Sequence, residues 1–173
     1  MKRKLFTICA ALLLMLGLSS TATAQIAVGG HAGLNVDAEE IYIGANAMFE
    51  LPIDLGGSVL VGNPSIDFYP FLGGDGGEFD IDQSLLVINL DALYRLTLDF
   101  GDPYVGAGLG IARASAEAFG VSASDTEIGI NIKAGSLFGD TDASFRPFGE
   151  VGISLGGTET LFIRGGAVFN IGG

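Results

Sequence analysis

The sequence predicts an all-β protein, an eight-stranded antiparallel up-and-down transmembrane β-barrel, and three observations predict it. Behind an N-terminal export signal, apolar and polar residues alternate with period two along about eight segments of roughly ten residues, the pattern and length of a tilted strand crossing a bilayer. No later stretch holds the ~18 consecutive apolar residues of a spanning helix. The chain carries 28 glycines in 173 residues, many at strand positions where a soluble sandwich would prefer bulk.

The export signal fixes the expected compartment. Lys2, Arg3 and Lys4 form a positive n-region, Leu5 to Leu18 an apolar h-region, and Ala22-Thr23-Ala24 a small-residue cleavage site. Residues 1–24 are therefore expected to be a cleaved signal peptide and 25–173 the barrel domain, in the outer membrane of a Gram-negative-type bacterium. A retained helical anchor would need a longer apolar core. Cys9, the chain's one cysteine, lies in the signal, so the exported part has no disulfide framework.

Removing the signal leaves five basic residues, Arg95, Arg113, Lys133, Arg146 and Arg164, against twenty acidic ones, a charge near −15. Nucleic acid is excluded as a partner, because binding phosphates takes clusters of Lys and Arg.

Each strand follows from its alternation, since successive side chains on a strand point to opposite faces. From Ile26 to Val36, Ile26, Val28, Ala32, Leu34 and Val36 oppose Gly29, His31, Gly33 and Asn35. The second strand, Ile41 to Leu51, sets Ile41, Ile43 and Phe49 against Tyr42, Asn46 and Glu50, and Pro52 to Gly57 is expected to turn the chain. The third, about Leu60 to Pro70, turns Leu60, Ile66 and Phe68 outward and Val61, Asn63, Ser65, Asp67 and Tyr69 inward. Its Pro64 lacks an N–H and must fall at a weak point of the ladder. In the fourth, Leu86, Ile88, Leu90, Tyr94 and Leu96 oppose Asn89, Asp91 and Arg95. The fifth, Tyr104 to Ala112, alternates Val105, Ala107, Leu109 and Ile111 with glycines. Ile128, Ile130 and Ile132 oppose Glu127, Asn131 and Lys133 in the sixth; Val151 and Ile153 oppose Arg146, Phe148 and Glu150 in the seventh. In the eighth, Leu161, Ile163, Phe169 and Ile171 oppose Phe162, Arg164 and Asn170.

With both ends of the barrel periplasmic, residues 37–40, 71–83, 115–125 and 156–159 are expected as extracellular loops. Residues 52–57, 97–102 and 138–143 are then periplasmic turns.

The pattern resembles the small eight-stranded outer-membrane barrel family that includes OmpX, the opacity proteins and the OmpA transmembrane domain. The ending from Arg164 to Ile171 is similar to that family's C-terminal insertion signal, with Arg164 as polar residue, then Gly166, then Phe169 and Ile171 as alternating hydrophobics. The family usually closes on a terminal aromatic, whereas here Gly172 and Gly173 follow. Tyr104 to Gly110 also looks like the family's glycine-alternating strand. The resemblance implies recognition by the barrel-assembly machinery, and outer-membrane lipid or lipopolysaccharide as surroundings.

An eight-stranded barrel is just wide enough for side chains to fill, which argues against a conducting pore. Nine charges are expected to meet inside as a salt-bridged network: Glu50, Asp67, Asp91, Arg95, Glu127, Lys133, Arg146, Glu150 and Arg164, with Glu150 almost across from Arg164. His31 faces the same lumen. Some outer-membrane enzymes that trim or transfer acyl chains of lipopolysaccharide use a histidine with a serine, but no serine can be placed beside His31, which reads as a filling polar side chain. No catalytic residue, cofactor or firm metal site is expected. The weak metal candidate is the glycine-rich segment 73–82, whose Asp75, Glu78, Asp80 and Asp82 could wrap Ca²⁺ without matching an EF-hand spacing. Phe49, Phe68, Tyr94 and Phe169 are expected at the membrane edges, with Arg113 reaching headgroups from a rim position.

The reading is thus a monomeric, non-catalytic outer-membrane scaffold that presents acidic loops for envelope integrity or adhesion. A periplasmic lipocalin-like barrel around a hydrophobic ligand is the alternative, and a lipid A-modifying enzyme the third. Parity separates the first two, because a lipocalin is apolar within and polar outside.

Overall fold

The computed structural model describes residues 26–56, 58–70, 82–96, 98, 101–118, 121–156 and 160–171. The expected signal peptide and most of the 73–82 segment lie outside the described residues. Eight strands follow in order: β1 (Ile26–Asn35), β2 (Glu40–Asp54), β3 (Ser58–Tyr69), β4 (Asp82–Leu96), β5 (Asp102–Ala118), β6 (Val121–Leu137), β7 (Phe145–Leu155) and β8 (Thr160–Asn170). Each pairs antiparallel with its sequence neighbours, and β1 pairs with β8, so the sheet closes and has no edge around its waist. The seam continues to Ile171, whose N–H donates to Ile26 O at 2.8 Å. No helix among the described residues is long and apolar enough to cross a membrane.

The faces are inverted relative to a soluble barrel. Ile43, Leu109, Ile130 and Ile163 stand 52–54 % exposed on the outside, whereas Asp91, Lys133, Arg146, Glu150 and Arg164 are buried inside. That arrangement contradicts the lipocalin expectation and agrees with the parity of every predicted strand. We call the end that carries the β1–β2, β3–β4, β5–β6 and β7–β8 connections the loop end, and the opposite one the turn end. Tyr94, Phe138, Phe145 and Phe169 ring the outside of the turn end, with the Phe145 and Phe169 rings tilted at 56° and their centres 5.2 Å apart, while Phe68 lies toward the loop end. Among the described residues the girdle is therefore one-sided, and Phe138 and Phe145 are members that alternation alone did not single out. Phe49 folds over the outer face of Gly62, where a Cβ would meet its ring.

Three strand limits differ from expectation. β2 runs through Pro52 to Asp54, with a register shift between Glu50 and Asp54, so a bulge rather than a full turn absorbs the proline. β4 begins at Asp82, which places this last member of the candidate Ca²⁺ set in a strand. β5 and β6 continue to Ala118 and Val121, replacing most of the expected 115–125 loop. Apart from Phe119 and Val121, residues 113–126 are polar or small, so no apolar stripe announces a strand there, yet the backbone ladder needs none beyond the apolar band.

Pro64 does weaken the ladder. The β2–β3 pairing stops after Asn46↔Ser65 and resumes at Phe49↔Gly62. In the gap, Asn63 Nδ2 donates to Ala47 O at 2.9 Å, so a side-chain amide supplies the donor that a proline cannot.

The glycines make room for large inward side chains. Gly33 lies opposite Tyr42, Gly44 opposite His31, Gly135 opposite Tyr104 and Gly152 opposite Phe162, and in each case a Cβ would collide with the partner's ring. Outward Gly30 is different, with nothing nearer than Gly44 O at 3.7 Å. Overpacking a close-packed interior costs about 1–3 kcal/mol or more. Gly152→Val is accordingly expected to lower the urea midpoint of the fast-migrating unboiled gel band by an amount equivalent to about 2 kcal/mol or more, while Gly30→Val leaves it in place. Equal effects at the two sites would refute this packing account.

Candidate functional site in the barrel lumen

Parity sends one residue in two into the lumen, and the side chains sort there into tiers. At the turn end, Arg95 pairs with Glu50 and lies 3.9 Å from Asp102. Asp102 accepts from Arg146 Nη1 at 2.7 Å, and Arg146 Nη2 donates to Gly139 O at 3.3 Å. Two carboxylates thus meet two guanidinium groups. Above them, Ala27, Met48, Val61, Leu93, Tyr104, Leu137, Phe148 and Val168 form one apolar cluster. Burying each large member stabilises the fold by roughly 1.5–3 kcal/mol.

The middle tier begins where Tyr104 reaches out of that cluster, its hydroxyl donating to Glu150 Oε2 at 3.0 Å. Glu150 and Arg164 are direct cross-strand partners, with Arg164 Nε 2.7 Å from Glu150 Oε1. Lys133 stands 2.5 Å from Asp91 and 3.5 Å from Glu150, and donates to Asn63 Oδ1 at 3.1 Å. On the other side of the lumen, His31 Nε2 donates to Asp67 Oδ1 at 2.7 Å, and Asn89 donates to Asp67 Oδ2 at 2.8 Å. Asn131 then bonds Asn89 Oδ1 at 2.8 Å. Arg164, 3.9 Å from Asp67, joins the two halves. Charges this deep must be matched, since one left unpaired would cost several kcal/mol.

The structure thus brings eight of the nine predicted charges into ion pairs. Glu127 is the exception: it sits high on β6, is exposed, and joins no ion pair among the described residues. Its strand runs beyond the level where water is excluded, so inward parity there no longer means burial. Asp102 is the member that sequence reasoning missed, because it stands at the expected end of a turn; it is fully buried. Of the C-terminal residues, Arg164 fills the lumen, Gly166 clears space beside His31, and Phe169 and Ile171 face outward. Asp75, Glu78 and Asp80 lie outside the described residues, and among those described no group of His, Cys, Asp or Glu is arranged to hold a metal. Arg113 is exposed with outward parity, opposite Leu86 and Thr126, toward the loop end.

Beyond the middle tier the lumen opens into a cavity of about 470 Å³ at the loop end. Tyr42, Tyr69 and Phe162 supply aromatic walls, the two tyrosine rings 5.0 Å apart. Asp67, Asp91, Lys133 and Arg164 form its floor, and Glu40, Asp125 and Glu127 line the sides above.

No family model matches the chain. No curated protein sequence matches it either. Solved structures do. The N-terminal β-barrel domain of Pseudomonas aeruginosa OprF superposes with a TM-score of 0.65 at 16 % identity, covering 85 % of this chain and 97 % of that one. Ail, the attachment invasion locus protein of Yersinia pestis, gives 0.62 at 17 %, covering 84 % and 96 %. A major outer membrane protein from Thermus thermophilus gives 0.59 at 14 %, covering 84 % and 98 %. The chain has the fold of small eight-stranded outer-membrane barrels.

Two outcomes follow from the tiers. Asp102→Ala, which strips two buried guanidinium groups of their shared partner, is expected to destabilise the barrel by about 3–5 kcal/mol in urea unfolding, whereas Glu127→Gln leaves the midpoint unchanged. Planar-bilayer recordings of the purified barrel are expected to show no steady conductance, because the apolar tier closes the lumen. A stable open level would disprove the seal.

Proposed function

We propose that the chain is an integral outer-membrane protein, a monomeric and non-catalytic scaffold whose loop end faces outside the cell for envelope integrity or adhesion. The observation that carries this reading is the inverted surface, an apolar band circling a lumen closed by ion pairs and packed side chains. Such a body is stable only where lipid covers the band, and it offers nothing through which solutes pass.

What it offers lies above the band. β4 pairs with β5 as far as Asp82↔Glu117, and β5 with β6 as far as Ala118↔Val121, whereas β6 meets β7 only from Ile130 onward. A three-stranded sheet therefore projects from the loop end, and its β6 edge, residues 121–129, has no strand partner among the described residues. An open strand edge carries unpaired N–H and C=O groups that can accept an extended segment of another protein. Acidic side chains on the same sheet discourage indiscriminate pairing.

Catalysis has less support. The His31 side chain is fully buried, its Nε2 is taken by Asp67, and its ring packs edge-on to Tyr42 and Phe148, so a substrate has no path to it. The expected partners are outer-membrane lipid and lipopolysaccharide around the band, and the barrel-assembly machinery through β8.

Because the exported part contains no cysteine, single cysteines report orientation cleanly. In intact cells, Ser124→Cys on the projecting sheet is expected to react with an impermeant maleimide, and Asp142→Cys at the turn end to react only after the outer membrane is opened. The opposite labelling pattern would overturn the proposed orientation.

A further inference from the structure

We infer that the free edge of β6 takes up an extended segment of another protein with lysine or arginine at alternate positions, and that the Asp125 carboxylate closes the edge to segments without them. The inference rests on the open β6 edge of the proposed function and adds the chemistry of its occupant. It holds for either orientation of the barrel.

The ladder shows which backbone groups the edge offers. Phe138 N–H donates to Pro147 O at 2.8 Å, and β6 pairs with β7 without a shift from Leu137↔Phe148 to Ile130↔Leu155. Along an antiparallel strand between two neighbours, residues bonded to one side alternate with residues bonded to the other. The even residues of β6 therefore turn N–H and C=O away from β5. Past Leu155, no strand among the described residues meets Ser124, Thr126 and Ile128 on that side. Asp125 has taken one of these groups, because its Oδ1 accepts from Thr126 N–H at 2.9 Å. A carboxylate thus covers a donor that an added strand needs. A neutral segment would have to break this charge-assisted bond with nothing to offer the carboxylate, whereas a cationic side chain gives Asp125 a new partner and releases the N–H.

The side chains fix the partner's pattern. Asp125 and Glu127 stand two residues apart on one face, both exposed, and neither joins an ion pair among the described residues. Side chains of an added strand alternate in the same way, so basic residues at every second position face both carboxylates. The intervening residues then lie beside Ser124, Thr126 and Ile128, the last of them 68 % exposed. A second copy of this chain does not fit. Antiparallel pairing of two such edges would set carboxylates against carboxylates, and like charges across strands are destabilising. Nor does the exported part hold a suitable segment, since its basic residues are Arg95, Arg113, Lys133, Arg146 and Arg164, no two of them at alternate positions.

The test is fluorescence polarisation on the full barrel in uncharged detergent, with three labelled eight-residue peptides. One alternates lysine with threonine, one alternates glutamine with threonine, and the third is the lysine peptide with its threonine nitrogens methylated. Saturable binding of the lysine peptide is expected, with the glutamine peptide about tenfold weaker because two cross-strand charge pairs are lost. The methylated peptide should not bind, since it keeps the charges but lacks the N–H groups for the ladder. Asp125→Ala should tighten the glutamine peptide by uncovering Thr126 N–H and cut the lysine peptide's advantage to about threefold. Glu127→Gln should weaken the lysine peptide about threefold. Both variants are first checked for the unboiled gel shift. Equal binding of the two unmethylated peptides, or an advantage that Asp125→Ala leaves intact, would overturn the charge rule while the open edge stands. Undiminished binding of the methylated peptide, or no saturable binding of any peptide, would overturn the edge reading as well.

Discussion

The inversion of polar and apolar faces is the constraint on which everything else in this barrel depends. A strand that shows Ile or Leu to lipid at every second position must turn the intervening residues inward, whatever they are. The interior consequently collects Asp67, Asp91, Lys133, Glu150 and Arg164 in a space with little water, where an unmatched charge is costly. The Glu150–Arg164 pair, one cross-strand step apart, is the centre of the resulting arrangement, with Lys133, Tyr104 and Asp67 attached to it.

Two devices let so narrow a cylinder hold these groups. Large inward side chains lie over glycines on the adjacent strand, so His31, Tyr42, Tyr104 and Phe162 bend into the lumen rather than meeting opposing Cβ atoms. Ionic tiers alternate with an apolar one, so the turn-end pairs around Asp102 and the central pairs around Glu150 are separated by Val61, Leu93, Phe148 and Val168. The packing explains both the glycine content and the closed lumen. It also leaves the loop end open as a cavity of about 470 Å³, where Glu40, Asp125 and Glu127 stand outside the ion-pair network.

Most of the fold was legible in the sequence because alternation reports burial directly. The inward parity of Tyr42, Tyr69, Asp91 and Arg146, and the facing of Glu150 and Arg164, needed only the period of a strand. Legibility ended where the surroundings cease to contrast. Above the apolar band the described side chains of Arg113, Ala114, Asp125 and Thr126 are exposed whichever face they stand on, so the ladder there lacks an apolar stripe and 115–125 reads as a loop. The inward parity of Glu127 does not bring burial for the same reason. Asp102 was hidden by its place at a turn, where a carboxylate usually means solvent; its burial depends on Arg146 arriving from β7, a contact between residues 44 apart in the chain. The apolar tier was only partly visible, since inward Val61 and Phe148 looked isolated until closure of the barrel brought them beside Leu93, Leu137 and Val168.

The measurement that bears most directly on the inverted barrel is the electrophoretic mobility of the expressed full chain from fractionated cells, with and without boiling. A band in the outer-membrane fraction that migrates faster unboiled is the predicted result, since a closed barrel with lipid-covered strands resists detergent until heated. A soluble periplasmic protein whose mobility is indifferent to boiling would contradict the account, because the exposed apolar band could not then be a lipid-facing surface.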